Sequence, residues 1–227
     1  MRRNENAFNL SDVLQFTVFL TNIKEIITWG PMEVGFISGG SGIAGMSNLG
    51  RDYLTYIIKN LAELDAITDI VIVDTGAGIS DAVLEFLVAS GEIILVTTPE
   101  PTSITDSYSL LKALQRHPRF RSEDTKVKML ANRVEKETEG VTLFNKLNAV
   151  VTRYLKLPMT YLGYVPQDPQ LTKAVMQQMP VSMQTPMAKS SLAYERIAGR
   201  LLDLNTGVPP KSRGMAAFFS HMITGRK

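Results

Sequence analysis

The stretch Asp69-Ile-Val-Ile-Val-Asp74-Thr-Gly-Ala-Gly78 decides the fold. An apolar run of β-branched residues without alternation predicts a strand buried on both faces, as in a parallel α/β sheet. An aspartate and a glycine-rich turn follow at once. Nucleotide hydrolases hold a magnesium ion through its water shell with a carboxylate at such a strand end. A strand-to-helix turn with a solvated aspartate explains the same residues equally well.

The composition is that of one soluble α/β domain with a real core. The chain has 227 residues, of which 44% are hydrophobic and 20% charged. Its net charge of +2, from 24 basic and 22 acidic residues, argues against a global nucleic-acid-binding field. The absence of cysteine excludes disulfides, thiolate zinc sites and a cysteine nucleophile. His117 and His221 lie far apart in the chain, so a histidine-rich metal site is not expected. We predict no signal peptide or transmembrane segment.

Strands and helices alternate along the chain with short connections. The patterns predict strands at 34–37, 70–73, 92–97, 126–131 and 160–165, and helices at 52–64, 82–90, 103–116, 140–155, 171–178 and 190–204. Alternation of this kind predicts a parallel sheet with helices on both faces. Ligands bind such sheets at the carboxyl ends of the strands, where we expect these residues to converge: Gly39, Gly40, Asp74, Thr98, Asn132 and Asp168.

A glycine-rich segment follows the first predicted strand. Gly40-Ser-Gly-Ile-Ala-Gly45-Met46-Ser47 fits the spacing of a phosphate-binding loop, except that Met46 replaces the lysine. Its backbone N–H groups are able to cradle an anion. Without the lysine a structural glycine turn is favoured, because glycine-rich strand-to-helix turns are common.

Several strand-end residues have the chemistry of a nucleotide site. Asp74 is placed to accept hydrogen bonds from magnesium-bound waters and to help hold an attacking water. Gly76 and Gly78 allow backbone amides to approach a γ-phosphate and the loop to change shape. The Asn132 amide is able to pair with the edge of adenine, or to serve in an ordinary turn. The stretch Pro166-Gln-Asp168-Pro169 either walls the base or ends a strand.

The end of the chain has a different character. Residues 205–210 read as a linker, and 211–227 carry basic residues without an acidic one. An apolar helical face is formed by Met215, Phe218, Phe219, Met222 and Ile223. A basic amphipathic helix of this kind predicts association with an anionic membrane surface. A helix docked on the parent domain or on a partner is the alternative.

In combination, these residues resemble the MinD-like ATPases, and among them the flagellar number regulator (FlhG or FleN) branch. Ile70-Val-Ile-Val-Asp-Thr-Gly-Ala-Gly-Ile-Ser80 is similar to the family's switch II. Val96-Thr-Thr-Pro-Glu-Pro-Thr-Ser-Ile-Thr-Asp106 is similar to the strand and loop that follow in the flagellar branch. Ala131-Asn-Arg133 and Leu162-Gly-Tyr-Val-Pro-Gln-Asp168 resemble the segments around adenine, and the terminal helix resembles the family's membrane-targeting sequence.

The resemblance implies a P-loop NTPase domain of the MinD/ParA type over 1–204, followed by the linker and the membrane helix. It implies that Asp74 acts as the catalytic switch II aspartate near Mg²⁺, bound through water. It further implies that Gly76 and Gly78 form the flexible switch, that Asn132 and Pro166 contact adenine, and that Asp168 belongs to the same motif.

The departure from the family pattern is at the amino-terminal side. The family's first strand, its deviant Walker A loop and its acidic switch I residues are not found in this sequence. We therefore expect either a fragment of a full ATPase or a degenerate relative, N-terminally incomplete as a fold, with impaired ATP hydrolysis because the signature lysine is missing.

The resemblance also implies a function and partners. ATP and Mg²⁺ are the expected cofactors, and ATP-dependent homodimerisation and peripheral membrane association in the cytoplasm are the expected behaviour. The implied role is control of flagellar number or placement, with the signal-recognition-type GTPase FlhF and flagellar switch proteins as partners and no nucleic acid. The alternative is a non-enzymatic interaction protein that keeps the MinD-like surface and the membrane helix.

Overall fold

Residues 92–166 supply three parallel strands in a computed structural model, which describes residues 27–37 and 63–202. The strands are β3 (Glu92–Thr97), β4 (Lys126–Val134) and β5 (Met159–Pro166), in the spatial order β3-β4-β5. Ile93 pairs with Val127, which in turn pairs with Met159. Each crossover is a helix, which is the connection that parallel neighbours require.

The helices agree with the predicted periodicities to within a few residues. They are α1 (Asp81–Ala89), α2 (Pro101–Gln115), α3 (Glu137–Leu155), α4 (Pro169–Met176), α5 (Val181–Gln184) and α6 (Lys189–Leu201). Ser80 caps α1 by accepting a hydrogen bond from the Val83 N–H. The short helix α5 has no counterpart in the sequence prediction, because four residues are too few for a helical pattern to repeat.

Helices lie on both faces of the sheet, as predicted. On one face α2 and α3 bury the main core, which contains Ile93, Leu95, Leu111, Leu114, Val127, Met129, Leu143, Leu147 and Val151. On the other face α6 packs Ile197 against Leu162 and Val165 of β5. The central strand β4 therefore lies between two apolar layers, which fixes the position of its carboxyl end.

One side-chain face of β3 is exposed. Ile94 and Val96 are 40% and 52% exposed, whereas the alternate residues Ile93 and Leu95 are buried. Successive side chains of a strand point to opposite faces of the sheet, and each face is buried only where another layer packs on it. Among the described residues β3 has one strand neighbour, β4.

The chain divides into two compact units: the parallel sheet lies in one, and the other contains the described residues 27–37 and 63–75. Of the two strands predicted in this other unit, the one at 34–37 is present in part and the one at 70–73 is not. The strand predicted at 34–37 is two residues long: β2 (Gly35–Phe36) pairs antiparallel with β1 (Thr28–Trp29). A 3-10 helix at Pro31–Glu33 joins them, closed by a 2.8 Å hydrogen bond from Gly30 N to Val34 O. Local hairpin pairing has replaced the predicted parallel pairing.

The stretch 70–73 is not a buried strand. It has no strand assignment, and Ile72 is 81% exposed. A β-branched run becomes a buried strand only if neighbouring strands take its backbone hydrogen bonds and layers cover its side chains. No ladder reaches 70–73 in the described part of the chain.

The helix predicted at 52–64 lies almost entirely outside the described residues, which include a 3-10 helix at Glu63–Ala66. Within residues 27–37 and 63–202 no helix combines the length and apolar character needed to cross a bilayer.

Candidate functional site

An open cleft of about 380 Å³ lies at the carboxyl ends of the three parallel strands. Its lining comes from the end of β4 and from the segments that follow the three strands: Pro99, Glu100, Arg133, Glu135, Glu139 and Gln167. The volume lies within the usual range for small-ligand sites, and the position is where ligands bind open α/β sheets. The sheet edge chosen from the sequence is therefore the edge that carries the cleft.

A β-bulge shapes the end of β4. Asn132 pairs with Val165 and Val134 pairs with Pro166, so Arg133 is the extra residue. Arg133 adopts a left-handed φ of 58°, and the Asn132 Oδ1 accepts a 3.0 Å hydrogen bond from the Arg133 N–H. Bulges redirect side chains next to ligand sites. Asn132 thus lies within β4 and not in a turn, and its amide nitrogen donates to no group in the described residues.

The Arg133 side chain lies between the segments that follow β3 and β5. Its Nε donates a 3.3 Å hydrogen bond to the Gln167 Oε1, and its Nη1 lies 3.8 Å from the Glu100 Oε1. The pKa of Glu100 is lowered first by a hydrogen bond from the Thr98 side chain, with a smaller contribution from the Arg133 charge. The ionised carboxylate is therefore favoured at neutral pH.

Three carboxylates give the cleft its electrostatic character. Glu100, Glu135 and Glu139 line it together with one cation, Arg133. The Glu139 Oε2 accepts a 2.6 Å hydrogen bond from the Glu135 N–H, which holds the start of α3 against the bulge. Carboxylate oxygens accept hydrogen bonds from amino groups and repel phosphate anions, so the lining suits a nucleobase better than a triphosphate.

Asp168 has a structural role in this structure. The residue is 6% exposed. Its Oδ1 accepts a 2.9 Å bond from Gln170 N, and its Oδ2 accepts bonds of 2.9 and 2.8 Å from Ser190 N and Ser190 Oγ. The Ser190 backbone hydrogen bond is the main cause that lowers the pKa of Asp168. One carboxylate thus joins the amino-terminal ends of α4 and α6.

The other predicted site residues are distributed over both compact units. Pro166 is buried at the end of β5 opposite Val134. Gly78 has a φ of +99°, which favours glycine, and both Gly76 and Gly78 have open space around them. Asp74 is exposed and belongs to the other unit, so its pairing with Asn132 around one nucleotide stays a prediction.

The cleft lining includes residues that the sequence analysis did not assign. Arg133 and Gln167 line it, whereas their predicted neighbours Asn132, Pro166 and Asp168 are not part of the lining. Both residues lie inside the two motifs that resemble adenine-binding segments, and this position could have identified them from the sequence. The glycine-rich segment 40–47 and the apolar face formed by Met215, Phe218, Phe219, Met222 and Ile223 lie outside the described residues.

No group of three or more histidine, aspartate and glutamate side chains is placed to hold a metal ion within residues 27–37 and 63–202. The predicted role of Asp74 does not require such a group, because it acts through the ion's water shell.

Comparison with known proteins finds relatives that cover most of the chain, FleN and YlxH among them. The Antiactivator FleN of Pseudomonas aeruginosa is 34% identical over 208 residues, which are 89% of this chain and 72% of FleN. The Flagellum site-determining protein YlxH of Helicobacter pylori is 31% identical over 206 residues, 88% of this chain and 67% of YlxH. The chain belongs to the MinD-like ATPase family, in its flagellar FleN (FlhG) branch. No family model matches the sequence.

Solved structures of MinD-like and ParA-like ATPases share the fold. A ParA family ATPase from Chlorobium tepidum superposes with a TM-score of 0.62 at 17% identity, covering 88% of this chain and 77% of that one. The septum site-determining protein MinD of Pyrococcus horikoshii, complexed with Mg-ADP, gives 0.60 at 17% identity, covering 90% and 77%. These similarities confirm the predicted P-loop NTPase α/β fold.

Proposed function

We propose that this MinD-like chain binds ATP, with the base at the cleft where β3, β4 and β5 end. The observation that carries the proposal is that cleft: segments from three successive strands meet there, and two of them are the motifs that resemble adenine-binding segments. The Mg-ADP complex of the MinD neighbour and the membership of the family support the choice of nucleotide.

The residues of the site take different roles in this proposal. Asn132 does not line the cleft itself, and in this proposal its amide pairs with the edge of a base that extends to the end of β4. Pro166 supports the end of β5. Asp168 holds the adjoining helices α4 and α6 together, because both of its oxygens are engaged. The base lies against the acidic lining, and the phosphates extend away from it, since Glu100, Glu135 and Glu139 repel them.

Asp74, Gly76 and Gly78 serve the phosphate end. Asp74 binds the waters of Mg²⁺, which supplies charge neutralisation when it is bound. The left-handed Gly78 and its open surroundings suit a segment that changes shape with the state of the γ-phosphate. We propose weak hydrolysis by residues 1–227, because the family's Walker A loop and its signature lysine are not found among them.

The cellular role follows from the relatives. FleN is an antiactivator and YlxH determines a flagellum site, so we place this chain in the control of flagellar number or position. ATP-dependent homodimerisation brings two copies of the basic helix at 211–227 to an anionic membrane surface, which strengthens weak single contacts. FlhF and flagellar switch proteins are the proposed partners, and the cytoplasmic face of the membrane is the proposed location.

Isothermal titration with Mg-ATP tests the binding step. Wild type is expected to bind, and Asn132→Ala is expected to bind about ten-fold more weakly, as the loss of one base hydrogen bond implies. Asn145→Ala, an exposed change on α3, is the matched control and should leave the affinity unchanged. Absence of binding by wild type contradicts the proposal and favours the non-enzymatic interaction protein.

A further inference from the structure

The part of the chain that contains α4 and α5 buries small residues. Its apolar cluster consists of Ala174, Val181 and Ala188, with Leu171 packed against them. A helix that packs on a domain normally buries its large apolar side chains and exposes its polar ones. Here large apolar side chains are exposed to solvent while small ones form the contact with the domain.

The exposed apolar side chains of this region include four methionines: Met176, Met179, Met183 and Met187. The first and the last are 81% and 78% exposed, and the two between them are 50% and 48% exposed. The Gln184 Nε2 donates a hydrogen bond to the Gln177 Oε1, which holds the end of α4 beside α5. We call residues 176–187 the methionine segment.

Methionines of the parallel sheet are buried instead. Met129 in β4 and Met159 in β5 are 0% and 7% exposed. Oxidation of a buried thioether places a polar oxygen in an apolar core, whereas an exposed thioether is oxidised without that cost. The chain has no cysteine, so its reversible sulfur oxidation is confined to methionine.

The contacts that fix this region do not depend on sulfur. Asp168 accepts hydrogen bonds from Gln170 and Ser190, which joins the starts of α4 and α6. The apolar cluster beneath the methionine segment consists of alanine, valine and leucine side chains. Oxidation at sulfur therefore makes the exposed side of the segment more polar and leaves its attachment to the domain in place.

We propose that the methionine segment is a site of reversible oxidation by peroxides. The thioether sulfur attacks one peroxide oxygen, an S–O bond forms as the O–O bond breaks, and hydrogen peroxide leaves as water. The sulfur loses the two electrons that the peroxide gains, and the product is methionine sulfoxide. Methionine sulfoxide reductases reverse the step: a thiol pair is oxidised to a disulfide, and the oxygen leaves as water.

The experiment treats the full chain with dilute hydrogen peroxide and maps sulfoxides by peptide mass spectrometry over time. Met176 and Met187 should be oxidised first. Met129 should be oxidised at least about ten-fold more slowly, because its oxidation requires opening of the core. The melting temperature should stay within about 2 °C of its starting value while the segment is oxidised.

Fluorescence of the dye bis-ANS reports the exposed apolar surface in the same samples. It should fall as the methionine segment is oxidised, because sulfoxides are polar. Treatment with both stereochemical classes of methionine sulfoxide reductase and a thiol should restore it.

The matched control replaces the four methionines by leucine: Met176→Leu, Met179→Leu, Met183→Leu and Met187→Leu. Leucine keeps an apolar side chain of similar volume and has no sulfur to oxidise. This variant should bind bis-ANS like the reduced wild type and should lose most of the response to peroxide. Met32→Leu removes a methionine of the other compact unit that is 84% exposed, and it should respond like wild type.

The outcomes separate the parts of this proposal. Oxidation of Met129 as fast as Met176 would contradict selective modification of the segment. A clear fall in the melting temperature would show damage to the fold and overturn reversible modification. A full peroxide response in the four-leucine variant would assign the effect to other methionines. None of these measurements requires ATP binding, so they stand or fall separately from the proposed function.

Discussion

At the scale of single residues, Asp168 lies in a motif that resembles an adenine-binding segment, but in the structure its side chain holds two helices together. Its two oxygens accept three hydrogen bonds and join the starts of α4 and α6. A carboxylate at a helix start also interacts favourably with the helix dipole. The partner Ser190 is far away in sequence, so the motif alone did not indicate this role.

Replacement of Asp168 by Asn should destabilise the fold by about 1–2 kcal/mol, because the amide donates where two Ser190 donors already point. Hydrogen bonds lower the pKa of Asp168 in the folded state below its ordinary value of 3.8. Its contribution is therefore present above the unfolded pKa and is lost as pH falls through the folded pKa. Urea unfolding at neutral pH and in acid should show a smaller acid loss in Asp168→Asn than in wild type.

The control is Asp106→Asn, an exposed aspartate on α2, which should unfold like wild type at neutral pH. Equal stability of Asp168→Asn and wild type at neutral pH would contradict the capping role of this carboxylate.

Gly140 and Tyr161 make a second residue-scale prediction. A Cβ added at Gly140 would lie 2.5 Å from the Tyr161 Oη, and that hydroxyl is buried without a hydrogen-bond partner among the described residues. Burial raises the pKa of Tyr161 to about 12. We expect Gly140→Ala to cost about 1–3 kcal/mol by overpacking. Tyr161→Phe should be neutral or stabilising and should rescue Gly140→Ala in a double-mutant cycle of denaturant unfolding; additive effects would contradict this contact.

At the scale of elements, the two faces of β3 differ sharply in burial. Ile93 and Leu95 face the core of α2 and α3, whereas Ile94 and Val96 are exposed at the sheet edge. We expect the double substitution to threonine at 94 and 96 to change the free energy of unfolding by less than about 1 kcal/mol. The same change at 93 and 95 should cost at least about 3 kcal/mol, because buried apolar volume is lost and hydroxyls are buried. Equal losses of unfolding free energy for the two double variants would contradict the assignment of one buried and one exposed face to β3.

Prediction from sequence was correct for elements whose own pattern of apolar residues indicates a strand or a helix. The strand predicted at 92–97 was found at those residues, and the helical periodicity of 140–155 placed the body of α3 correctly. The prediction of a buried strand at 70–73 was wrong, because burial of a strand depends on neighbouring strands and helices that its own residues do not specify. The left-handed Arg133 was also invisible, since a bulge is set by pairing between β4 and β5.

At the scale of the whole molecule, we predict that the terminal segment 211–227 binds anionic membranes. Full-length chain should sediment with vesicles that contain anionic phosphatidylglycerol, and much less with phosphatidylcholine vesicles. Phe218→Glu with Phe219→Glu should reduce the bound fraction at least about five-fold, because charged side chains replace two aromatic rings on the predicted membrane-facing side. Leucine at both positions should preserve binding. Equal sedimentation of the glutamate and leucine variants would contradict the membrane role.

Photocrosslinking with 8-azido-ATP is the decisive measurement, because it reports where the base lies. We expect adducts on peptides that carry Glu100, Arg133 or Gln167, and excess ATP should suppress them. Adducts confined to other parts of the chain, or adducts that excess ATP does not suppress, would contradict a base at the carboxyl ends of β3, β4 and β5.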